Sequence, residues 1–165
     1  MTRWKQSFLL LIYGLVCIGL DQWTKAMIQQ HLALGERIVL IKQFLYITYV
    51  QNTGAGFSLF AGFGLPFFTV ITLVACAALA VYLYQAKEFG LRFLLTTILA
   101  GALGNFIDRL LFGYVRDFIG VYIFGWAFPV FNGADILITC GFACLALWMI
   151  VQERREKQAW NKKQS

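Results

Sequence analysis

Charged residues are scarce in this chain of 165 residues. Asp, Glu, Lys and Arg together make up 13% of it, whereas 60% is hydrophobic and the mean hydropathy is +0.70. Soluble domains of ordinary composition carry about 25% charged residues. The shortage of charge therefore excludes an ordinary soluble domain and predicts an integral membrane protein.

Metal ligands and paired cysteines are lacking as well. His31 is the single histidine, so no set of metal-binding side chains can be recognised, and we expect neither a metal ion nor another cofactor. The four cysteines fall in apolar stretches without a Cys-x-x-Cys pair, which favours a packing role. They are Cys17, Cys76, Cys140 and Cys144.

Four apolar stretches are each long enough to cross the hydrocarbon core, which requires about 20 residues. They cover residues 7–27, 64–84, 91–111 and 132–152. We therefore predict one integral-membrane domain over residues 1–165, all-α in the membrane, with a polar cytoplasmic tail at 153–165. The connections 28–63 and 112–131 are the long ones and lie on the same side, where their β-branched and aromatic residues favour a small sheet and a loop.

The Lys and Arg residues indicate the orientation, because cytoplasmic loops are enriched in them. Nine of the 14 fall in the N-terminal segment, around the short connection 85–90 and in the tail. Both termini are therefore expected in the cytoplasm, with the two long connections outside. The net charge of +6 then faces anionic lipid, so membrane lipid is the expected partner and nucleic acid is not.

Acidic residues collect near the outer ends of the predicted spans. An ionisable side chain at membrane depth costs about 2.5–3.5 kcal/mol on insertion scales, so it needs a partner or a water-filled cavity. Asp21 and Lys25 have the i,i+4 spacing of a helical ion pair, and we expect them to close the first helix at the interface. We expect Asp108 to form an interfacial pair with the adjacent Arg109.

Asn105 and Arg109 share one helical face with Gly101. A guanidinium on that face can fix carboxylates through forked hydrogen bonds, and Gly101 and Gly104 permit close approach of another backbone or a substrate chain. Asn52 begins Asn-Thr-Gly-Ala-Gly, which indicates a turn with exposed backbone amides. Most Asn-x-Gly segments are merely turns; the alternative role is to offer these donors to an extended peptide or a polar headgroup.

Asp135 stands at the start of the fourth predicted span. By itself it is explained as a first-turn acid behind an Asn132 cap, where the helix dipole favours negative charge. Asp117 adds a second carboxylate on the same side of the membrane. Two carboxylates in a partly dry site share one proton, so one can accept a proton from water while the other donates to a carbonyl. This is the chemistry of an aspartic peptidase.

Five motifs resemble, in their order along nearly the whole chain, the signal peptidase II family, the lipoprotein signal peptidases of bacterial membranes. The motifs are DQWTK at 21–25, NTGAGFS at 52–58, AGALGNFIDR at 100–109, VRDF at 115–118 and FPVFNGAD at 128–135. Each motif alone is weak evidence, but chance agreement of all five in order is improbable.

The resemblance implies a four-helix inner-membrane aspartic endopeptidase with a small extracytoplasmic sheet and a loop over the active site. Its substrate is a prolipoprotein, cut just before the cysteine that carries a diacylglyceryl group, and we expect a monomer. The catalytic pair of the family falls on Asp117 and Asp135. Its supporting residues fall on Asp21, Lys25, Asn52, Gly54, Gly101, Asn105, Arg109, Asn132 and Ala134. The sequence departs from the family pattern at Gly56, Ala100, Gly133 and Ile136.

One further expectation concerns a lid, and two other functions are considered. The segment 113–125, which contains three glycines, reads as extended chain or a partial helix and is expected to close over the cleft as a lid. A small proton-coupled transporter is the main alternative function, and it requires a carboxylate in the middle of a span. A quinone-linked disulfide-forming protein would need cysteines in the outer loops, which this chain does not have.

Overall fold

Four apolar helices form the body of the protein. The computed structural model describes residues 2–54 and 64–164. The helices are α1 (Arg3–His31), α2 (Gly64–Gln85), α3 (Phe89–Phe112) and α4 (Gly133–Gln164). Each contains a stretch long and apolar enough to cross a membrane, which confirms the predicted four-span architecture of a multi-pass membrane protein.

An antiparallel sheet is built from the two long connections. The strands are β1 (Arg37–Ile41), β2 (Leu45–Asn52), β3 (Val115–Ile123) and β4 (Trp126–Ala127), hydrogen-bonded in the order β1-β2-β3-β4. The small sheet predicted from the β-branched and aromatic residues is therefore confirmed. Its central pair, β2 and β3, joins the first long connection to the second.

One expectation about an individual segment is wrong. Residues 115–123 are not a lid, because β3 is paired with β2 and β4 and its first four residues are buried. The polar tail beyond Gln152 is a continuation of α4 with exposed side chains. Cys140 and Cys144 are also exposed on α4, and Cys140 lines a cavity of the bundle.

Helix α3 is the centre of the bundle. It packs against α1, α2 and α4, and most of its apolar stretch is buried, whereas the other three helices are mostly exposed to the surroundings. An exposed apolar surface on a membrane-spanning helix faces lipid and needs no further covering. The polar groups of the protein must therefore meet along α3.

Small residues allow α4 and α1 to approach α3 closely. A Cβ atom added at Gly101 would lie 2.5 Å from the carbonyl oxygen of Ala134 and 2.9 Å from Ile138 Cγ1. One added at Gly104 would lie 2.6 Å from a carboxylate oxygen of Asp21. The close approach expected at these glycines is therefore made by the protein's own helices.

Replacing Gly101 by Ala should weaken the packing of α3 on α4. The added methyl group cannot be accommodated beside a main-chain oxygen without a shift of one helix, and overpacking of this kind costs about 1–3 kcal/mol. Unfolding of the purified protein in detergent micelles should begin at a lower temperature. Gly19→Ala on α1 is the control, since nothing lies within 4 Å of that site; equal stability of both variants would contradict the expectation.

Candidate active site

Strand β3 and the start of α4 are fastened together by main-chain hydrogen bonds. The carbonyl oxygen of Phe131 accepts from the amides of Phe118 and Ile119 at 3.0 and 2.7 Å, and the Phe131 amide donates to the Ile119 carbonyl at 3.0 Å. Asp117 therefore lies on a strand that is tied to the residue just before α4. Asp135 follows in the first turn of that helix.

Asn132 and Asp135 cap helix α4 reciprocally. The Asn132 Oδ1 atom accepts from the Asp135 amide at 3.0 Å, and Asp135 Oδ2 accepts from the Asn132 amide at 3.1 Å. This is the arrangement of a capping box, with an Asn–Asp pair in place of the usual Ser/Thr and Glu. The predicted Asn132 cap is present, and it fixes the direction of the Asp135 carboxylate.

Three asparagine side chains surround the two carboxylates. Asn132 Nδ2 donates to Asp117 Oδ1 at 2.6 Å and also to Asn105 Oδ1 at 3.1 Å. Asn105 Nδ2 donates to Asp135 Oδ1 at 2.7 Å, and Asn52 Nδ2 donates to Asp117 Oδ2 at 2.8 Å. Asn105 and Asn132 thus connect the two carboxylates through a chain of side-chain amides.

Asn52 is aimed at Asp117 by its own turn. In the sheet Asn52 is opposite Val115, so Asp117, two residues along, lies on the same face. The Gly54 amide donates to Asn52 Oδ1 at 3.0 Å, which leaves the Nδ2 group for the carboxylate. The Gly54 amide therefore stabilises a turn that orients the Asn52 side chain. The rest of this motif, including Gly56, lies outside the described residues.

The Asp117 carboxyl has a strongly raised pKa. Burial is the main cause, and together with the negative charge of Asp135 it raises the pKa of Asp117 to about 7 against the opposing hydrogen bonds from the Asn52 and Asn132 amides. Asp117 is 2% exposed. A carboxyl with this pKa exchanges its proton near neutral pH, as general acid–base chemistry requires.

Lys25 lies inside the bundle with no exposed surface. Its ammonium is 2.7 Å from Asp21 Oδ2 and 3.7 Å from Asp108 Oδ2, and it donates to Asn105 Oδ1 at 2.9 Å. The Asp21–Lys25 ion pair was expected, but it does not close the first helix, because α1 continues to His31. Asp21 Oδ1 accepts from the Ala134 amide at 2.9 Å, so the pair joins α1 to the start of α4.

Asp108 is also fully buried, and the expected pair with Arg109 is wrong. Its partner is Arg116 of β3, whose Nη2 lies 2.7 Å from Asp108 Oδ1 and whose Nε donates to Oδ2 at 3.1 Å. Arg116 Nη2 also donates to Gln22 Oε1 at 2.9 Å. The sequence analysis missed Arg116 and Gln22, although Arg116 adjoins Asp117 in VRDF and Gln22 adjoins Asp21 in DQWTK.

Arg109 does not make the forked bonds to carboxylates that were expected. In the described part of the chain the Arg109 side chain makes one hydrogen bond, from Nη1 to the Asn105 carbonyl oxygen at 3.4 Å. It does line the same cavity as the two aspartates. The Arg109 guanidinium therefore faces that cavity, and it has N–H groups that make no hydrogen bond to the described residues.

The remaining departures from the family pattern lie on α3 and at the start of α4. Ala100 is buried in α3, and Ile136 is 44% exposed and lines the same cavity as the two aspartates. A Cβ atom at Gly133 would lie 3.5 Å from Asp21 Oδ1, an ordinary contact. Ala134, whose amide binds Asp21, is fully buried.

A cavity of about 650 Å³ opens onto the carboxylates. Side chains from α2, α3, α4 and residues 128–131 line it, and most of them are apolar. Helices α2 and α4 each pack against α3, but their main chains do not contact each other over the described residues. The cavity therefore continues between α2 and α4 toward the lipid.

A multi-pass membrane enzyme with a buried dicarboxylate site is the class that this fold and this cavity define. The family model described as signal peptidase (SPase) II matches residues 13–151. The chain belongs to the signal peptidase II family, and it is a peptidase.

Curated relatives and solved structures agree with this placement. The chain is 40% identical over 152 residues to the lipoprotein signal peptidase of Halalkalibacterium halodurans, covering 91% of this chain and 97% of that one. It is 37% identical over 166 residues to that of Enterococcus faecalis, covering 98% of each. A solved structure described as a bacterial membrane enzyme has a TM-score of 0.80 at 33% identity, covering 87% of this chain and 88% of its own.

Replacing Asp108 by Asn should destabilise the protein strongly. Arg116 and Lys25 would remain buried with less negative charge beside them, and breaking a buried ion pair costs about 3–5 kcal/mol. Unfolding by denaturant in detergent micelles measures the loss. Glu153→Gln removes the exposed partner of Lys157 and should leave stability unchanged, so a similar loss in both variants would contradict the role of burial.

The pKa of Asp117 predicts a pH dependence of stability. An Asp carboxyl in the unfolded chain ionises near pH 3.9, whereas the pKa of Asp117 in the native protein is about 7. Between these values the native state holds a proton that the unfolded state lacks, so the unfolding free energy falls as pH rises. Asp117→Asn cannot titrate and should gain stability relative to the parent between about pH 4 and 7. A difference that is constant over this window would refute the raised pKa.

Proposed function

We propose that this peptidase cleaves diacylglyceryl-modified prolipoproteins just before the lipidated cysteine, with Asp117 and Asp135 as its catalytic residues. The observation that carries the proposal is the pair of buried carboxylates, which the amides of Asn105 and Asn132 connect and which faces a cavity open to lipid. No other described part of the chain combines carboxylates, burial and an apolar channel in this way.

The proposed reaction uses one water molecule and one shared proton. The ionised carboxylate takes a proton from the water as its oxygen attacks the scissile carbonyl, and the protonated carboxyl donates to the carbonyl oxygen. The raised pKa of Asp117 keeps one proton on the pair close to neutral pH. The tetrahedral intermediate then collapses: the carboxyl that took the proton of the water gives it to the amide nitrogen, the other carboxylate takes back a hydroxyl proton, and the C–N bond breaks.

The neighbouring polar residues would position this pair. Each carboxylate is held by asparagine side chains: Asn52 and Asn132 donate to Asp117, and Asn105 donates to Asp135. Each of these hydrogen bonds fixes the position of one carboxylate oxygen. Arg109 faces the cavity with donors unused by the described residues, which suits it to bind the carbonyl groups of an extended substrate.

The apolar channel between α2 and α4 suits the signal helix of the substrate. A signal segment is itself apolar and lies in the bilayer, so it can enter sideways where the two helices do not meet. The carboxylates stand at the sheet end of the channel, next to the headgroups. A lipid-modified cysteine occupies that same depth, and its acyl chains would remain in the bilayer.

The same proposal includes the cellular setting. The basic residues near Arg3, Lys87 and the end of α4 all lie at the end of the bundle away from the sheet, and this supports cytoplasmic termini by the positive-inside rule. The sheet and the carboxylates would then face outward in the bacterial inner membrane. The chain would act as a monomer, with membrane lipid and the prolipoprotein as its partners.

The transporter alternative gains no support. It requires a carboxylate in the middle of a span, whereas Asp135 is in the first turn of α4 and Asp117 is on a strand. The relatives described above are named as peptidases.

Asp117→Asn and Asp135→Asn should each abolish cleavage of a diacylglyceryl-modified precursor. Removal of a general acid or base typically costs about 10²–10⁴-fold in rate, and loss of either member also ends proton sharing within the pair. The rate of signal peptide release by the purified variants in phospholipid vesicles measures the effect.

Two controls accompany this assay. Glu36→Gln removes an exposed outer carboxylate and should cleave at the parental rate, while thermal unfolding verifies that the Asn variants are folded. A folded Asn variant with parental turnover would refute the catalytic assignment. Equal cleavage of a precursor without the diacylglyceryl group would instead refute the proposed substrate.

A further inference from the structure

A second cavity, of about 730 Å³, lies at the end of the bundle away from the carboxylates. Helices α1 and α2 each pack against α3, but their main chains do not contact each other over the described residues. The resulting groove has α3 as its floor and opens to lipid along its length. Its walls are mainly apolar and include Leu10, Leu15, Ile18, Ala80, Leu83 and Leu99.

Two arginines stand at the mouth of this groove. Arg92, in the first turn of α3, is 6% exposed, and its guanidinium donates to Ser7 Oγ at 2.6 Å and Gln6 Oε1 at 3.3 Å. Arg3 is exposed and donates to the Tyr84 carbonyl at 2.9 Å, which links the ends of α1 and α2. Both arginines line the cavity.

The charge of Arg92 is left without an anion. Its hydrogen-bond partners are neutral, its Nε atom is buried without any partner, and in the described part of the chain no carboxylate lies within 4 Å of it. A buried cation without a counter-charge is costly, and buried charges are normally paired. The arrangement therefore lacks one negative group.

We propose that this groove is a binding site for an anionic phospholipid. The phosphate group and an anionic headgroup would pair with Arg92 and Arg3, and one acyl chain would lie along α3 between α1 and α2. Basic pockets between membrane-spanning helices are a recognised way of holding anionic headgroups. The apolar walls continue directly from the arginines, so one molecule with a charged end and a hydrocarbon chain matches the whole site.

The lipid would also complete the packing of the bundle. Within the described ranges the main chains of α1 and α2 do not contact each other, and an acyl chain between them would fill the space that α3 leaves open. Binding to the folded state alone raises stability by mass action. This role is independent of the proposed peptidase chemistry at the opposite end.

The test uses the full chain, purified without lipid in a non-ionic detergent. Phosphatidylglycerol, phosphatidylcholine with the same acyl chains, and inorganic phosphate are added separately. Native mass spectrometry measures bound lipid, and thermal unfolding measures stabilisation. Phosphatidylglycerol should bind and raise the unfolding midpoint; phosphatidylcholine, whose choline cation would lie beside Arg3, should bind at least several-fold more weakly.

Three variants separate the site from general charge effects. Arg92→Gln should lower phosphatidylglycerol binding by about tenfold or more, the loss expected for one charge-assisted contact. Arg3→Gln, at an exposed position, should lower it several-fold even if Arg92→Gln fails to fold. Arg154→Gln removes an exposed cation of α4 outside the groove and should bind as the parent does.

Three results would overturn the proposal. Equal binding of the two lipids would exclude recognition of negative charge, and unchanged binding by Arg3→Gln would exclude the groove mouth. Stabilisation by inorganic phosphate as large as that by phosphatidylglycerol would exclude a role for the acyl chain. Cleavage assays are not needed, so the outcome does not depend on the proposed peptidase activity.

Discussion

The contacts of the buried Lys25 ammonium are the interactions on which the rest of the structure depends. It lies between the carboxylates of Asp21 and Asp108 and the amide oxygen of Asn105, so one positive charge contacts both the buried ion pairs and a side chain that binds Asp135. Buried charges of this kind need a partner of opposite charge. Three of the four spans supply groups to this network: α1 gives Lys25 and Asp21, α3 gives Asp108 and Asn105, and α4 gives the Ala134 amide.

Strand β3 connects this network to Asp117. Neighbouring residues of a strand point to opposite faces, and here Arg116 turns to the ion pairs while Asp117 turns to the cavity. Arg116 is bound at two positions by Asp108, so the strand cannot rotate without breaking a buried salt bridge. The position of Asp117 is thus fixed by groups that do not line the cavity.

Much of this arrangement could be predicted because it rests on local patterns. Apolar length identified the four spans, and Asn132 followed by Asp135 indicated a helix cap. The partners of Asp108 and Lys25 could not be predicted in the same way. Sequence spacing indicates only pairs that are adjacent or one helical turn apart, whereas these partners come from other elements. The partner of Asp108 is a strand residue, Arg116, and it is reached only through the folding of β3 onto α1 and α3. The lid expected at 113–125 was wrong for a related reason: its glycines suggested mobility, whereas Gly120 packs directly against the ring of Tyr46.

The capping of α4 by Asn132 and Asp135 has a mechanical consequence. A carboxylate held by the main chain of its own helix cannot swing independently, and Asp117 is held as firmly by β3. The two carboxylates are therefore tied by hydrogen bonds to α3, α4 and the sheet. Helix α2 packs against α3, and its last residues are joined to α1 by the Arg3–Tyr84 hydrogen bond. Within the described residues α2 supplies none of the hydrogen bonds that orient the two carboxylates, so their spacing is set independently of that wall of the cavity.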